Sequence, residues 1–276
     1  MGAAAMETEG RTRPTGRAVA FPKARVALLL GAGLSAMLGL LAASVRSGLL
    51  EVGSPLILAD FHGALMIYGF LGSAISLERA AAYRGGGRRT VRWCFLAPAF
   101  GALGLLVVLA FTATAALPGC GRLGAWARPG AGLCWCASTF LLCLIYLAIW
   151  RRQPSIAVLV QFLAALVGLA GALMWTGGVE AFILSPTWLS FPVLSIVGER
   201  VELARAVFSE PRLEAGVLAL SMLTALLLPG QISARLGGTP FWGWRWVCYW
   251  LLWSGMTWLA PLGGVVGYRA LWACAC

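Results

Sequence analysis

Apolar residues in this chain neither alternate with polar ones nor recur at helical intervals; they run on without a break. Eight stretches qualify: 26–45, 56–77, 93–117, 132–150, 155–176, 181–198, 215–234 and 246–268. Each is close to the roughly 20 residues a helix needs to cross about 30 Å of hydrocarbon. Strands of a closed barrel would alternate apolar and polar residues, and these runs do not. The pattern predicts an all-α, polytopic integral membrane bundle of eight helices. Pro186 and Pro192 interrupt the sixth run and Pro229 the seventh, which a membrane helix tolerates where neighbouring groups satisfy the freed carbonyl.

Composition narrows the class further. The chain has 276 residues, 60% hydrophobic and 11% charged, against roughly 25% charged residues in ordinary soluble domains. That excludes a soluble enzyme, a disordered chain and a nucleic-acid-binding module, and makes the lipid bilayer the first partner. Among all Asp, Glu, Lys and Arg residues, only Asp60 falls inside an apolar run.

The net charge of +11 then sets sidedness. With the N-terminus in the cytoplasm, 16 of the 21 basic residues fall on the inner side; Arg46, Arg122, Arg128, Arg235 and Arg245 fall outside. This is the positive-inside asymmetry, and it predicts a multi-pass protein of the cell (plasma or inner) membrane with both termini cytoplasmic. The basic segment 79–92 reads as a topological retention signal, or alternatively as a site for anionic headgroups or nucleic acid. Residues 1–24 are polar, glycine-rich and basic, and read as a disordered cytoplasmic tail. The apolar run behind them is too long for a signal-peptide core, so it reads as a retained anchor. Cys134, Cys136 and Cys143 lie inside the fourth run and read as small packing residues. Cys120 would lie in an outer loop with no evident partner.

An internal echo suggests how the helices are grouped. Ile75-Ser76-Leu77-Glu78-Arg79 ends the second run, and Ile196-Val197-Gly198-Glu199-Arg200 ends the sixth. Each comes after the second span of a four-span block, which predicts two parallel four-helix blocks over 25–154 and 155–276. Glu78, Arg79, Glu199 and Arg200 are expected to form structural ion pairs between neighbouring helices or blocks, with proton uptake as the alternative. Glu202 and Arg205 would share a helix face at i,i+3.

His62 is the one histidine, seven residues into the second run, and Asp60 lies two residues before it. On an ideal helix His62, Gly69, Ser73 and Ser76 share a face, a small and polar stripe expected to face the bundle interior. Such a stripe would leave room for a flat cofactor, with Asp60, Met66, Gly69, Ser73 and Ser76 lining the pocket. The competing reading is a neutral imidazole bonded to Asp60 or a carbonyl.

His62-Gly63-x-x-Met66-Ile67-Tyr68-Gly69 resembles the second helix of heme-copper oxidase subunit I proteins and of the NnrS-type membrane proteins. The resemblance covers about 20 residues by motif and the rest loosely by topology, since those proteins are built from three four-span blocks. It implies a heme-binding, redox or nitric-oxide-related protein, with heme b as cofactor and His62 as axial ligand. The chain departs from the pattern in having no second histidine, so neither a bis-histidine heme nor a copper site can be built from it, and oxygen reduction is not supported. Met66, one turn along the same helix, cannot take the opposite axial position. Two blocks where relatives have three, and the tail Ala273-Cys274-Ala275-Cys276, suggest a truncated member, a missing third block, a partner subunit or a homo-oligomer.

Two other functions stay open. A transporter or permease would use a proline-broken sixth helix, with Gln161, Thr176, Ser185, Thr187 and Ser190 along a path. A membrane assembly subunit would carry no chemistry at all. No serine-histidine-aspartate arrangement or phosphate-binding glycine loop is present, so no residue is assigned a catalytic role, and no metal is expected beyond heme iron at His62.

Overall fold

The computed structural model describes residues 23–50, 57–85, 92–115, 121–205 and 211–235. All regular structure among the described residues is helical. Among the described residues, seven helices are long and apolar enough to cross a membrane: α1 Lys23–Arg46, α2 Leu58–Arg84, α3 Trp93–Thr114, α4 Gly124–Trp150, α5 Ile156–Thr176, α6 Ala181–Ala204 and α7 Arg212–Ala234. The expected eighth span, 246–268, lies outside the described residues, as does nearly all of the expected tail at 1–24.

Each helix packs on the next in chain order, most extensively α5 on α6. Helix α2 touches α1, α3, α4 and α6 and meets α5 through Tyr68; α5 is the most enclosed, whereas α1 and α7 are peripheral. One hydrophobic core joins residues from Ala42 to Ile232. Helices α4 and α5, which meet at the expected division between residues 154 and 155, share an extensive contact.

Several helices outrun the apolar stretches that predict them. Helix α2 continues to Arg84, α4 begins at Gly124 and takes in Arg128, and α6 reaches Ala204. Alanine, leucine, glutamate and arginine are all good helix formers, so backbone hydrogen bonding continues where hydrophobicity stops. The sixth helix is not broken, contrary to the expectation from its prolines: α6 is continuous with Pro186 and Pro192 inside it. Proline at 186 removes the amide that would bond the Phe182 carbonyl, and Ser185 Oγ donates to that carbonyl at 2.8 Å instead.

The irregular helix is α2. It opens with a tight turn at Ile57–Phe61, becomes α-helical at His62–Ala64, and widens into a π-helical stretch at Leu65–Gly72. Ser73 Oγ donates to the Tyr68 carbonyl five residues back, at 3.2 Å. A π turn holds more residues than an α turn, so the residues beyond it are rotated relative to an ideal helix.

Close approach in the core depends on missing side chains. Phe191 of α6 lies flat over Gly168 of α5, where an added Cβ would sit 2.9 Å from the ring. Gly216 in α7 has nothing within 4 Å of its added Cβ. Gly168→Ala is therefore expected to destabilise the fold by about 1–3 kcal/mol through overpacking. Gly216→Ala should be neutral, or stabilising by up to about 1 kcal/mol through helix propensity. Thermal melting of both variants checks this; equal melting temperatures would show that contact at Gly168 is not limiting.

Candidate functional site

Two places hold the residues that the sequence singles out, one at each end of the bundle. At the first, His62 is half-buried where α2 begins, and no described residue hydrogen-bonds to its ring. Asp60 does not bond His62. Its carboxylate turns to Arg46 at the end of α1, 3.8 Å away, with the Asp60 side chain 83% exposed. Such an exposed, long pair contributes little to stability.

The stripe expected beneath His62 does not form one lining. The π stretch shifts its members onto different neighbours. Gly69 faces Ser35 of α1, where an added Cβ would lie 2.9 Å from Oγ. Ser73 packs directly on Gly101 of α3, and Ser76 is buried with its hydroxyl on the Ser73 carbonyl at 3.0 Å. Met66 rests on Gly39 of α1, whose added Cβ would lie 2.8 Å from Sδ. Gly63 accommodates the edge of Trp188. The space that small residues promised is filled by neighbouring helices.

Tyr68 is the buried member that the stripe leaves out. Its hydroxyl donates to the Gly168 carbonyl at 2.9 Å, and its ring stacks near Trp135 and Phe191 and meets Trp188 edge-on. Trp175 extends the cluster from Trp135 to Trp188. Arg128 closes it. Its guanidinium lies 5.3 Å from the Trp175 ring centroid and donates to the carbonyls of Trp175 and Val179. Carbonyls at the C-terminal end of α5 have no helical partner, and a cation suits that end of the dipole. Sequence alone assigns Arg128 only to an outer loop; its position just before the apolar run is the available signal.

At the opposite end, Arg79 is almost buried and joins three carboxylates. Nη1 meets Glu202 Oε2 at 3.0 Å, Nη2 meets Glu199 Oε2 at 3.8 Å, and Glu78 Oε1 lies 3.9 Å away. Gln161 of α5, fully buried, donates Nε2 to the same Glu202 oxygen at 3.2 Å. Gly198 makes room for it, since an added Cβ there would lie 2.5 Å from Gln161 Cγ. The first Ile-x-x-Glu-Arg copy thus supplies the guanidinium, and the second supplies Glu199 across the interface.

The expected set changes in its details. Glu202 carries the shortest contact, although the motif points only to Glu78, Arg79, Glu199 and Arg200 as pairs. Arg200 is exposed and makes no ion pair among the described residues. Arg205 does not pair with Glu202; its Nε meets Glu214 of α7 at 2.8 Å. An i,i+3 pair is possible in principle, but Glu202 is held by Arg79 and Gln161, and Glu214 is nearer to Arg205. Among the described residues no group of three or more His, Cys, Asp and Glu side chains is placed to hold a metal ion. Cys134, Cys136 and Cys143 are free thiols in the bundle, while Cys120 lies outside the described residues.

Of the five residues suggested as a transport path, Thr176, Ser185 and Ser190 bond carbonyls of their own helices, and Gln161 bonds Glu202. Thr187 is buried with no hydrogen-bond partner among the described residues. Gln161 lies toward the Arg79 end of the bundle, and Thr176, Ser185, Thr187 and Ser190 toward the other.

Residues 25–260 match the model of a family described as a domain of unknown function, DUF8744. The chain belongs to that family. The match spans α1 to α7 and so includes both His62 and the Arg79 cluster. No curated protein and no solved structure matches the chain.

The Arg79 cluster predicts unequal pairings. A double-mutant cycle between Arg79→Gln and Glu202→Gln should give a coupling of about 1–2 kcal/mol, as for a charged hydrogen bond. The same cycle with Glu78→Gln should give about zero to 0.5 kcal/mol, as for an exposed pair. Denaturation midpoints measure both, and equal couplings would contradict the geometry.

Proposed function

We propose that the protein is a multi-pass integral membrane protein of the cell membrane, with its N-terminus in the cytoplasm. The supporting observation is the inverted distribution of polarity. Leu30, Met37, Leu106, Leu133, Phe140, Phe182, Leu189 and Leu220, from α1, α3, α4, α6 and α7, are more than half exposed. Ser35, Ser73, Ser76, Ser138, Thr139, Gln161, Thr187 and Ser195 are buried instead. Water would penalise that exterior, and a bilayer would not. Orientation is supported by the arginines that meet at one end, Arg25, Arg84, Arg152 and Arg205, against Arg46 and Arg128 at the other.

Two experiments test this. Protein in washed membranes should stay in the pellet after alkaline carbonate extraction, and release into the supernatant would reject membrane integration. Alkaline phosphatase fused after Gly48 should be active, and after Gly86 inactive; the reverse pattern would overturn the orientation.

A second reading, heme ligation by His62, is favoured by one observation: among the described residues none hydrogen-bonds the half-buried imidazole. The residues fit a single axial bond at the bundle end. They do not fit a heme buried beneath His62, because Ser35, Gly101 and Gly39 meet the residues that would have made room for it. The opposite axial position would come from outside the described residues, from a partner subunit or from a second copy. Purified protein loaded with heme should show a Soret band that His62→Ala abolishes. A band unchanged by that substitution, or none in the parent protein, would reject this reading.

A further inference from the structure

The end of the bundle that carries Arg79 also gathers guanidiniums that form no ion pair among the described residues. Arg25, in the first turn of α1, lies 5.2 Å from the centroid of the Phe95 ring. Arg84, in the last turn of α2, lies 5.8 Å from the centroid of the same ring. Arg152, just past α4, stacks 3.9 Å from the Tyr83 centroid and donates to the Tyr83 carbonyl at 3.4 Å. Trp93 meets Tyr83 edge-on, and Cys94 donates weakly to the Ala80 carbonyl, so the start of α3 is held against the end of α2. The nearest carboxylate along α2, Glu78, is turned to Arg79.

This arrangement is unfavourable as it stands. Two like charges share one ring, and among the described residues neither forms an ion pair. Arg25 Nε is sealed from solvent without a hydrogen-bond partner among the described residues. A desolvated, unpaired guanidinium N–H costs about 1–3 kcal/mol or more. The first turns of α1 and α3, the positive ends of their helix dipoles, lie at this same end of the bundle. An anion with several acceptor oxygens would relieve all of these at once, and guanidiniums match phosphate oxygens in a two-pronged geometry.

The surface beside the arginines selects the form of phosphate. Val26, Leu29 and Leu30 on α1 and Leu96 and Leu103 on α3 are exposed apolar side chains running away from the arginine end. We propose that Arg25 and Arg84, framing Phe95 between α1, α2 and α3, bind the phosphate of an anionic phospholipid whose acyl chains lie along these leucines. Basic pockets between helices at the cytoplasmic face are suited to such headgroups. The site rests on the membrane reading above, and it gives the basic segment 79–92 a ligand in addition to its part in sidedness.

The experiment compares lipids on the intact chain. Protein purified in detergent is mixed with phosphatidylglycerol or phosphatidylcholine, and bound lipid is counted by native mass spectrometry. Phosphatidylglycerol should be retained about tenfold better, as expected where one or two charged hydrogen bonds are gained. In Arg25→Gln/Arg84→Gln the preference should fall to about one, while the exposed-site variant Arg200→Gln should keep it. Should the double variant not fold, Arg84→Lys, which keeps the charge and loses the fork, should reduce the preference partway. Millimolar inorganic phosphate that displaces the lipid supports a phosphate site; phosphate that binds equally well where no lipid is retained would assign a soluble ligand and overturn the lipid assignment. No preference in the parent protein, or one unchanged in the double variant, overturns the site. Recovery of the protein from cells without detergent would instead overturn the membrane reading, so the two failures are distinct.

Discussion

The hydroxyl of Tyr68 donates to the carbonyl of Gly168, and the helices around it are arranged to permit that bond. Tyr68 is fully buried on α2, and its partner carbonyl is on α5, so the two backbones must approach closely. Gly168 and Gly171 allow this: an added Cβ at Gly171 would lie 2.8 Å from the Tyr68 hydroxyl. Phe191 and Trp188 of α6 and Trp135 of α4 then fill the space around the ring. In the bilayer proposed for this bundle there would be little hydrophobic force between helices, and association would depend on van der Waals contact and buried hydrogen bonds. Tyr68 supplies both to three neighbours at once.

Tyr68 also lies inside the stretch where α2 departs from regular geometry. An ideal helix through this region would give His62, Gly69, Ser73 and Ser76 one common face. The π stretch at Leu65–Gly72 spreads them instead, Gly69 to α1 and Ser73 to α3, while Tyr68 points at α5. Each becomes a fitted contact rather than the wall of a pocket. The glycines at 63 and 69 leave room for Trp188 and Ser35, which approach them closely.

Much of this is legible in the sequence, and the illegible part has a common cause. Unbroken apolar runs locate seven helices, because the length of a spanning segment depends only on hydrophobicity summed along the chain. Arg79 and Glu199 emerge as a pair because their motif recurs at corresponding helix ends. Periodicity cannot supply anything that depends on a change of helical pitch. The π segment has no charge or proline to mark it, and an ideal helix puts the residues beyond it on the wrong face. Partner choice is hidden for a similar reason: Glu202 is three residues from Arg205, yet Arg79, 123 positions away in sequence, is the closer partner in space. Pro186 misleads in the other direction, since Ser185, one residue before it, replaces the hydrogen bond that the ring removes.

The two ends of the bundle are consequently built on different physics. Around Tyr68 and Trp175 the interior is aromatic and tightly filled, and Arg128 uses its charge on helix carbonyls. Around Arg79 the interior is polar: Gln161 Oε1 and the Tyr146 hydroxyl are buried without hydrogen-bond partners among the described residues, beside carboxylates that remain partly exposed. A buried acceptor without a donor is costly in a low-dielectric interior unless water or a proton can reach it. Glu199 and Glu202 keep part of their surface exposed beside Gln161 and Tyr146, whereas the Thr187 hydroxyl, next to the aromatic cluster, is buried without a hydrogen-bond partner among the described residues and has no carboxylate beside it.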